Sequence, residues 1–131
     1  DKKALTDRVS VARDFARRQN VIVVLKGSRS LIAAPDGRVV VNPTGNAGLG
    51  TAGAGDTLTG VISGFLAQAF ATLKGEADAF STTVAALYVS GLAGDLAARQ
   101  CGMRTMIASD IRAHLSDAIR MLDAEGEIPS N

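Results

Sequence analysis

The sequence predicts an α/β fold of the doubly wound kind, of which these residues supply only part of the sheet. Three observations carry that expectation. Val21-Ile22-Val23-Val24-Leu25 is an unbroken, mostly β-branched apolar run, as expected of a buried strand in a parallel sheet covered by helices on both faces. Several longer segments repeat apolar residues at i, i+3 and i+4, the spacing of amphipathic helices. A Gly- and Thr-rich stretch without periodicity, residues 42–55, leads directly into one of those helices.

The elements are expected in this order. Thr6 caps a helix reaching about Asn20, with Val9, Ala12, Phe15 and Ala16 on one face. The strand 21–25 follows. Residues 31–34 and 39–41 form a hairpin across Pro35-Asp36-Gly37-Arg38, where Pro sets φ and Gly supplies a positive φ. A helix over 56–70 keeps Leu58, Val61, Ile62, Phe65, Leu66 and Ala69 in register, and Gly60 and Gly64 suit close packing on another element. Two more helices are expected over 77–99 and 110–122, the latter capped by Ser109, and residues 125–131 read as a frayed tail. One strand and one hairpin cannot cover so many helices. Together with a first residue that is not Met, this predicts that residues 1–131 are the C-terminal portion of a single larger domain.

Composition narrows the function classes. The 131 residues carry 14 Lys and Arg against 13 Asp and Glu, scattered rather than clustered, so no basic field exists for nucleic acid or an anionic membrane. Cys101 is the single cysteine, which excludes an internal disulfide and a multi-Cys zinc site. There is no apolar run of about 18 residues, and a cytoplasmic domain is expected.

Chemistry concentrates in residues 42–57. Glycines at 45, 48, 50, 53 and 55 uncover backbone N–H groups, and the following helix N-terminus adds partial positive charge, so a phosphate is the natural guest. Asp56, at the helix start, is placed to accept a proton from a substrate hydroxyl while the glycine amides hold a transferring phosphoryl group. The plainer alternative makes Asp56 a helix cap and the glycines mere turn residues. Gly48 to Gly53 satisfies G-x-G-x-x-G, but the dinucleotide-binding context is lacking, and no G-x-x-x-x-G-K-[ST] occurs. Lys26-Gly27-Ser28-Arg29-Ser30 ends the buried strand, the edge at which α/β sheets meet their ligands. His114 lies off the apolar face of its helix and reads as a surface residue, and Met103, Met106 and Met121 read as core or boundary.

Val24-Leu25-Lys26-Gly27, Ala34-Pro35-Asp36-Gly37, residues 42–60 and Gly91-Leu92-Ala93-Gly94-Asp95 together resemble the ATP/ADP-dependent NAD(P)H-hydrate dehydratase family of the ribokinase-like superfamily. The resemblance implies a ribokinase-like doubly wound domain about twice this length. It implies ADP or ATP, with Mg2+, lying over Lys26, Gly27, Ser28, Arg29, Ser30, Gly53, Ala54 and Gly55. Asn46 and Asp56 would meet the hydrated NADH or NADPH, and Asp56 would take the proton of its ring hydroxyl. That hydroxyl is phosphorylated, and loss of phosphate restores the double bond. No protein-held metal site is implied. Ala47, Leu49, Gly50, Ala52 and Ala54 depart from the family's usual loop, and Ser90 stands where the family has His. A homo-oligomer, or association with the absent N-terminal half, is expected. A small-molecule kinase of the sugar or hydroxyethylthiazole type and a non-catalytic nucleotide-binding module are the alternatives. Asp56 argues against the second of these, since a carboxylate beside phosphates gives a pure binder nothing.

Overall fold

The computed structural model describes residues 2–126. Three layers stack on one another. A first helix, α1 (Lys2–Gln19), covers one face of a three-stranded sheet, and α2 (Ala54–Thr72) and α3 (Ala79–Cys101) cover the other. Behind α3 pack α4 (Ala108–Ala113) and α5 (Leu115–Gly126).

The sheet is ordered β1 (Val23–Leu25), β2 (Leu31–Ala33), β3 (Val39–Val41), and both pairings are antiparallel. Period-two alternation assigns the faces. Val23, Leu25, Ala33 and Val39 pack toward Ala12 and Ala16 of α1, while Val24, Ile32 and Val40 pack toward Phe80, Leu87, Leu58 and Ile62. The parallel surroundings expected for residues 21–25 are not found among the described residues. The chain reverses within five residues and pairs β1 with β2 as a second hairpin, so β2 is the wholly buried strand and β1 is half-buried. The hairpin across residues 35–38 is as expected. Gly37 has φ +96°, and Arg38 pairs with both Asp36 and Asp78 while stacking 4.5 Å from the Phe80 ring centroid. That cluster ties the hairpin to the start of α3, whose N-cap is Asp78.

α2 begins and ends two residues outside the expected 56–70, and α3 lies two residues later than the expected 77–99; the other helices differ as follows. Thr6 lies inside α1 rather than at its cap, because the helix extends to Lys2 through residues of good helical propensity. Ser109 lies inside α4, where the Asp110 carboxylate instead accepts from the Ile107 N–H at 2.8 Å. The helix expected over 110–122 is broken at His114. Its Nδ1–H donates to the Asp110 carbonyl at 2.8 Å, competing with the backbone ladder, and its Nε2 lies 2.6 Å from Gln100 Oε1 of α3. His114 is therefore half-buried and joins two helices rather than standing free on the surface. Glu125 and Gly126 belong to α5, and the rest of the expected tail lies outside the described residues. Of the methionines, Met106 is core, and Met103 and Met121 are exposed. Gly60 and Gly64 meet nothing within 4 Å, so their close-packing role is not seen here.

Candidate functional site

A cleft of about 800 Å³ opens between the β1–β2 turn and the glycine-rich segment. Residues 26–30 form one wall and residues 42–47 with Leu49 and Gly50 the other; Ala54 and Leu58 of α2 and Leu87, Ser90 and Gly91 of α3 complete it. All five expected residues of the Lys26–Ser30 turn are brought together there. The turn is held from beneath by Arg8 of α1. Its guanidinium donates to the Ser28 carbonyl at 2.8 Å and to those of Leu25 and Lys26 at 3.4 and 3.5 Å. Arg29 adopts φ +58°, a conformation L-residues seldom take, which this clamp helps hold.

The opposite wall is docked onto α3 by a set of residues whose purpose is invisible without the fold. A Cβ at Gly91 would overlap the Thr44 hydroxyl and lie 2.8 Å from the Thr44 carbonyl carbon; one at Gly94 would lie 2.5 Å from Leu49 Cδ2. Both glycines are notches that let the segment sit against the helix. Asp95, one residue on, accepts from the Gly45 N–H at 2.9 Å and from Asn46 Nδ2 at 2.8 Å. Thr44 donates to the Tyr88 carbonyl at 2.9 Å, and buried Asn42 donates to that of Leu87 at 3.2 Å. Asn46 lines the cleft, but both ends of its amide serve the chain: Nδ2 also donates to the Gly94 carbonyl at 3.0 Å, and Oδ1 accepts from the Gly48 N–H at 2.9 Å.

The N-terminus of α2 supplies the third side. Gly53 is its N-cap, with φ +80° and no side-chain cap; the Ala54 N–H donates to the Thr51 carbonyl at 3.3 Å, and the next two amides, of Gly55 and Asp56, are left open. A Cβ at Gly55 would stand 3.1 Å from Lys26 Nζ, which places the ammonium over that helix end. Among the described residues neither Lys26 nor Arg29 has an ion-pair partner, and no acidic residue lines the cleft. A cation and a helix N-terminus facing one another repel unless an anion lies between them.

Asp56 occupies the first turn of α2, as expected, but faces away from this cleft. It lines a second groove of about 720 Å³ with Gly53, Thr57, Gly60 and Val61 of the α2 region and Arg112, Leu115 and Ile119 of α4 and α5. The structure thus gathers Lys26 to Ser30 and Ala54 in one cleft and Gly53 and Asp56 in the other, with Gly55 at the boundary. Arg8, Thr44, Ser90 and Asp95 carry no site role in the sequence reading. The Gly91-x-x-Gly94-Asp95 spacing is their one sequence signal: small residues a turn apart followed by a carboxylate.

A family model described as NAD(P)H-hydrate dehydratase matches residues 2–117. A bifunctional NAD(P)H-hydrate repair enzyme of Moorella thermoacetica is 44% identical over 125 residues, 95% of this chain and 22% of that protein. An ADP-dependent (S)-NAD(P)H-hydrate dehydratase of Neisseria meningitidis is 36% identical over 106 residues, 80% of this chain and 33% of its own length. Among solved structures, the ADP/ATP-dependent NAD(P)H-hydrate dehydratase from Bacillus subtilis, co-crystallized with ATP/Mg2+, superposes with TM-score 0.78 at 31% identity, covering 89% of this chain and 40% of that one. The chain therefore spans between about a fifth and two fifths of these proteins' lengths.

Proposed function

The chain belongs to the NAD(P)H-hydrate dehydratase family and has its ribokinase-like α/β fold, and from that premise we propose that it supplies the nucleotide cleft and the proton acceptor for dehydrating hydrated NADH and NADPH. The observation that carries this reading is Lys26 Nζ poised over Gly55 at the uncapped start of α2, with no carboxylate in the cleft. Those groups form a phosphate seat for ADP or ATP. The walls at residues 26–30 and 42–50 hold the rest of the nucleotide.

Asp56 is on the far side of the same helix turn and lines the second groove, and in this proposal the hydrated nicotinamide ring binds there. Its carboxylate accepts the proton of the ring hydroxyl as that oxygen takes the phosphoryl group. The carbon–oxygen bond then breaks, phosphate leaves with the bonding electrons, and a proton lost from the adjacent ring carbon restores the double bond. Lys26 and the open amides stabilise charge on the phosphoryl oxygens by position alone, which is what phosphoryl transfer asks of a protein. Among the described residues no three metal-ligating side chains converge. Mg2+, when bound, would come with the nucleotide and neutralise charge on its phosphates.

Residues 1–131 act in this reading as the C-terminal portion of the domain. β1 has a partner on one side only among the described residues, and Val11 and Phe15 of α1 and Phe70 and Leu73 at the end of α2 are exposed. The remaining strands, or another subunit, would cover them. No helix among the described residues is long and apolar enough to cross a membrane, and a cytoplasmic setting suits the lone Cys101 thiol. The test uses the complete protein with hydrated NADH and ADP or ATP, following recovery of nicotinamide absorbance. Asp56→Asn should lower kcat by about 10²–10⁴ and leave nucleotide affinity unchanged. A kcat near that of the parent protein would remove Asp56 from the reaction.

A further inference from the structure

Of the four serine and threonine side chains on α3, Ser81 donates to the Asp78 carboxylate at 2.6 Å, and the other three behave in two ways. Thr82 and Thr83 donate to the carbonyls four residues back, Asp78 and Ala79, each at 2.8 Å. Such back-bonding is the ordinary resting place of a helical hydroxyl. Ser90, two turns further along and only 6% exposed, makes no such bond to Ala86 and has no hydrogen-bond partner among the described residues. Nor is its oxygen sealed in the core, since no fully buried side-chain polar atom lacks a partner. What remains is the cleft, whose lining includes Ser90 beside Leu58, Leu87 and the Gly91 notch. A nearly buried hydroxyl with nothing to bond except whatever fills a cleft is costly when the cleft is poorly filled and useful when it is occupied.

We propose that Ser90 is a ligand-contacting residue, its hydroxyl hydrogen-bonding the nucleotide bound in the Lys26 cleft. The choice of nucleotide over hydrated nicotinamide rests on the two-groove reading above. Ser90 shares its groove with Lys26, Ser28 and Arg29 and not with Asp56. A nucleotide also offers ribose, phosphate and ring acceptors along its whole length, so a single hydroxyl set among leucines finds a partner on it.

The experiment compares the complete protein with its Ser90→Ala and Lys26→Ala variants, using ADP as the probe in calorimetric titration and in thermal unfolding with and without ADP. Ser90→Ala removes no bond within the chain and puts a better helix former on α3. Without ADP it should therefore melt at the same temperature as the parent or higher. Its ADP affinity should fall about 5- to 50-fold, with a correspondingly smaller ADP-induced rise in Tm and an unchanged KM for hydrated NADH. Unchanged ADP affinity in Ser90→Ala, with affinity lost in Lys26→Ala, would overturn the Ser90 assignment and leave the cleft intact. Unchanged affinity in both variants would instead overturn the cleft reading on which it rests. A lower Tm without ADP would show that the hydroxyl serves the fold, and a raised KM for hydrated NADH at constant ADP affinity would give it to the other ligand. Either result ends the proposal.

Discussion

Gly91→Ala is the most informative perturbation of the scaffold, because two large opposing effects meet at one atom. In an ordinary helix interior, alanine in place of glycine stabilises by about 0.5–1 kcal/mol. At Gly91 the added methyl would overlap the Thr44 hydroxyl and stand 2.8 Å from the Thr44 carbonyl carbon, which is backbone and has nowhere to rotate. Overpacking of this kind costs about 1–3 kcal/mol. Lifting the segment also breaks the bond that the Thr44 hydroxyl donates to the Tyr88 carbonyl, at about 1 kcal/mol. The net expectation is destabilisation by about 1–3.5 kcal/mol, with weaker nucleotide binding because one wall of the cleft moves. Gly60→Ala is the control. That position also lies in a helix, but nothing stands within 4 Å, so the propensity gain should survive and the sign of the effect should reverse. The chain has no tryptophan, so urea unfolding is followed by far-ultraviolet circular dichroism of the complete protein, with ADP affinity measured in parallel. If Gly91→Ala matches the parent in both stability and affinity, the close approach of the 42–50 segment to α3 is wrong.

Two further outcomes test other parts of the argument. Gly55→Val should reduce ADP affinity at least tenfold with little change in stability, since its side chain would occupy the space between α2 and Lys26 Nζ; calorimetric affinity equal to the parent's would refute the phosphate seat. The Asp78 carboxyl is held well below the usual carboxylate range, first by the Ser81 hydroxyl and then by Arg38. A carboxylate depressed in the folded state adds stability that is fully present above its unfolded value near 4 and fades as pH falls below it. Thermal unfolding between pH 7 and pH 2.5 should therefore show a shallower acid loss in Asp78→Asn than in the parent, and identical slopes would mean that the cluster does not couple to folding.

Patterns that repeat along the chain could be read without coordinates. The turn at Pro35-Asp36-Gly37-Arg38 requires only local φ preferences, and the hairpin forms there. The i, i+4 register of residues 58–66 likewise identifies α2, because a helix announces itself by its own periodicity, although it begins at Ala54, two residues before the expected start. What tertiary structure alone decided is which residues face one another. Whether β1 pairs parallel or antiparallel depends on where the chain goes after Lys26, and an apolar run says only that a strand is covered. Ser109 has the chemistry of a cap, yet Asp110 reaches the free N–H first. Arg8 clamps a turn 17 to 20 residues away, and Asp95 a loop about 50 residues away, through bonds that no spacing encodes. Asp56 could be recognised as the carboxylate beside the glycines. Its turn toward a second groove, away from Lys26, is set by the direction in which the third residue of α2 projects, and a helix acquires that direction only by packing against α3, α4 and the sheet.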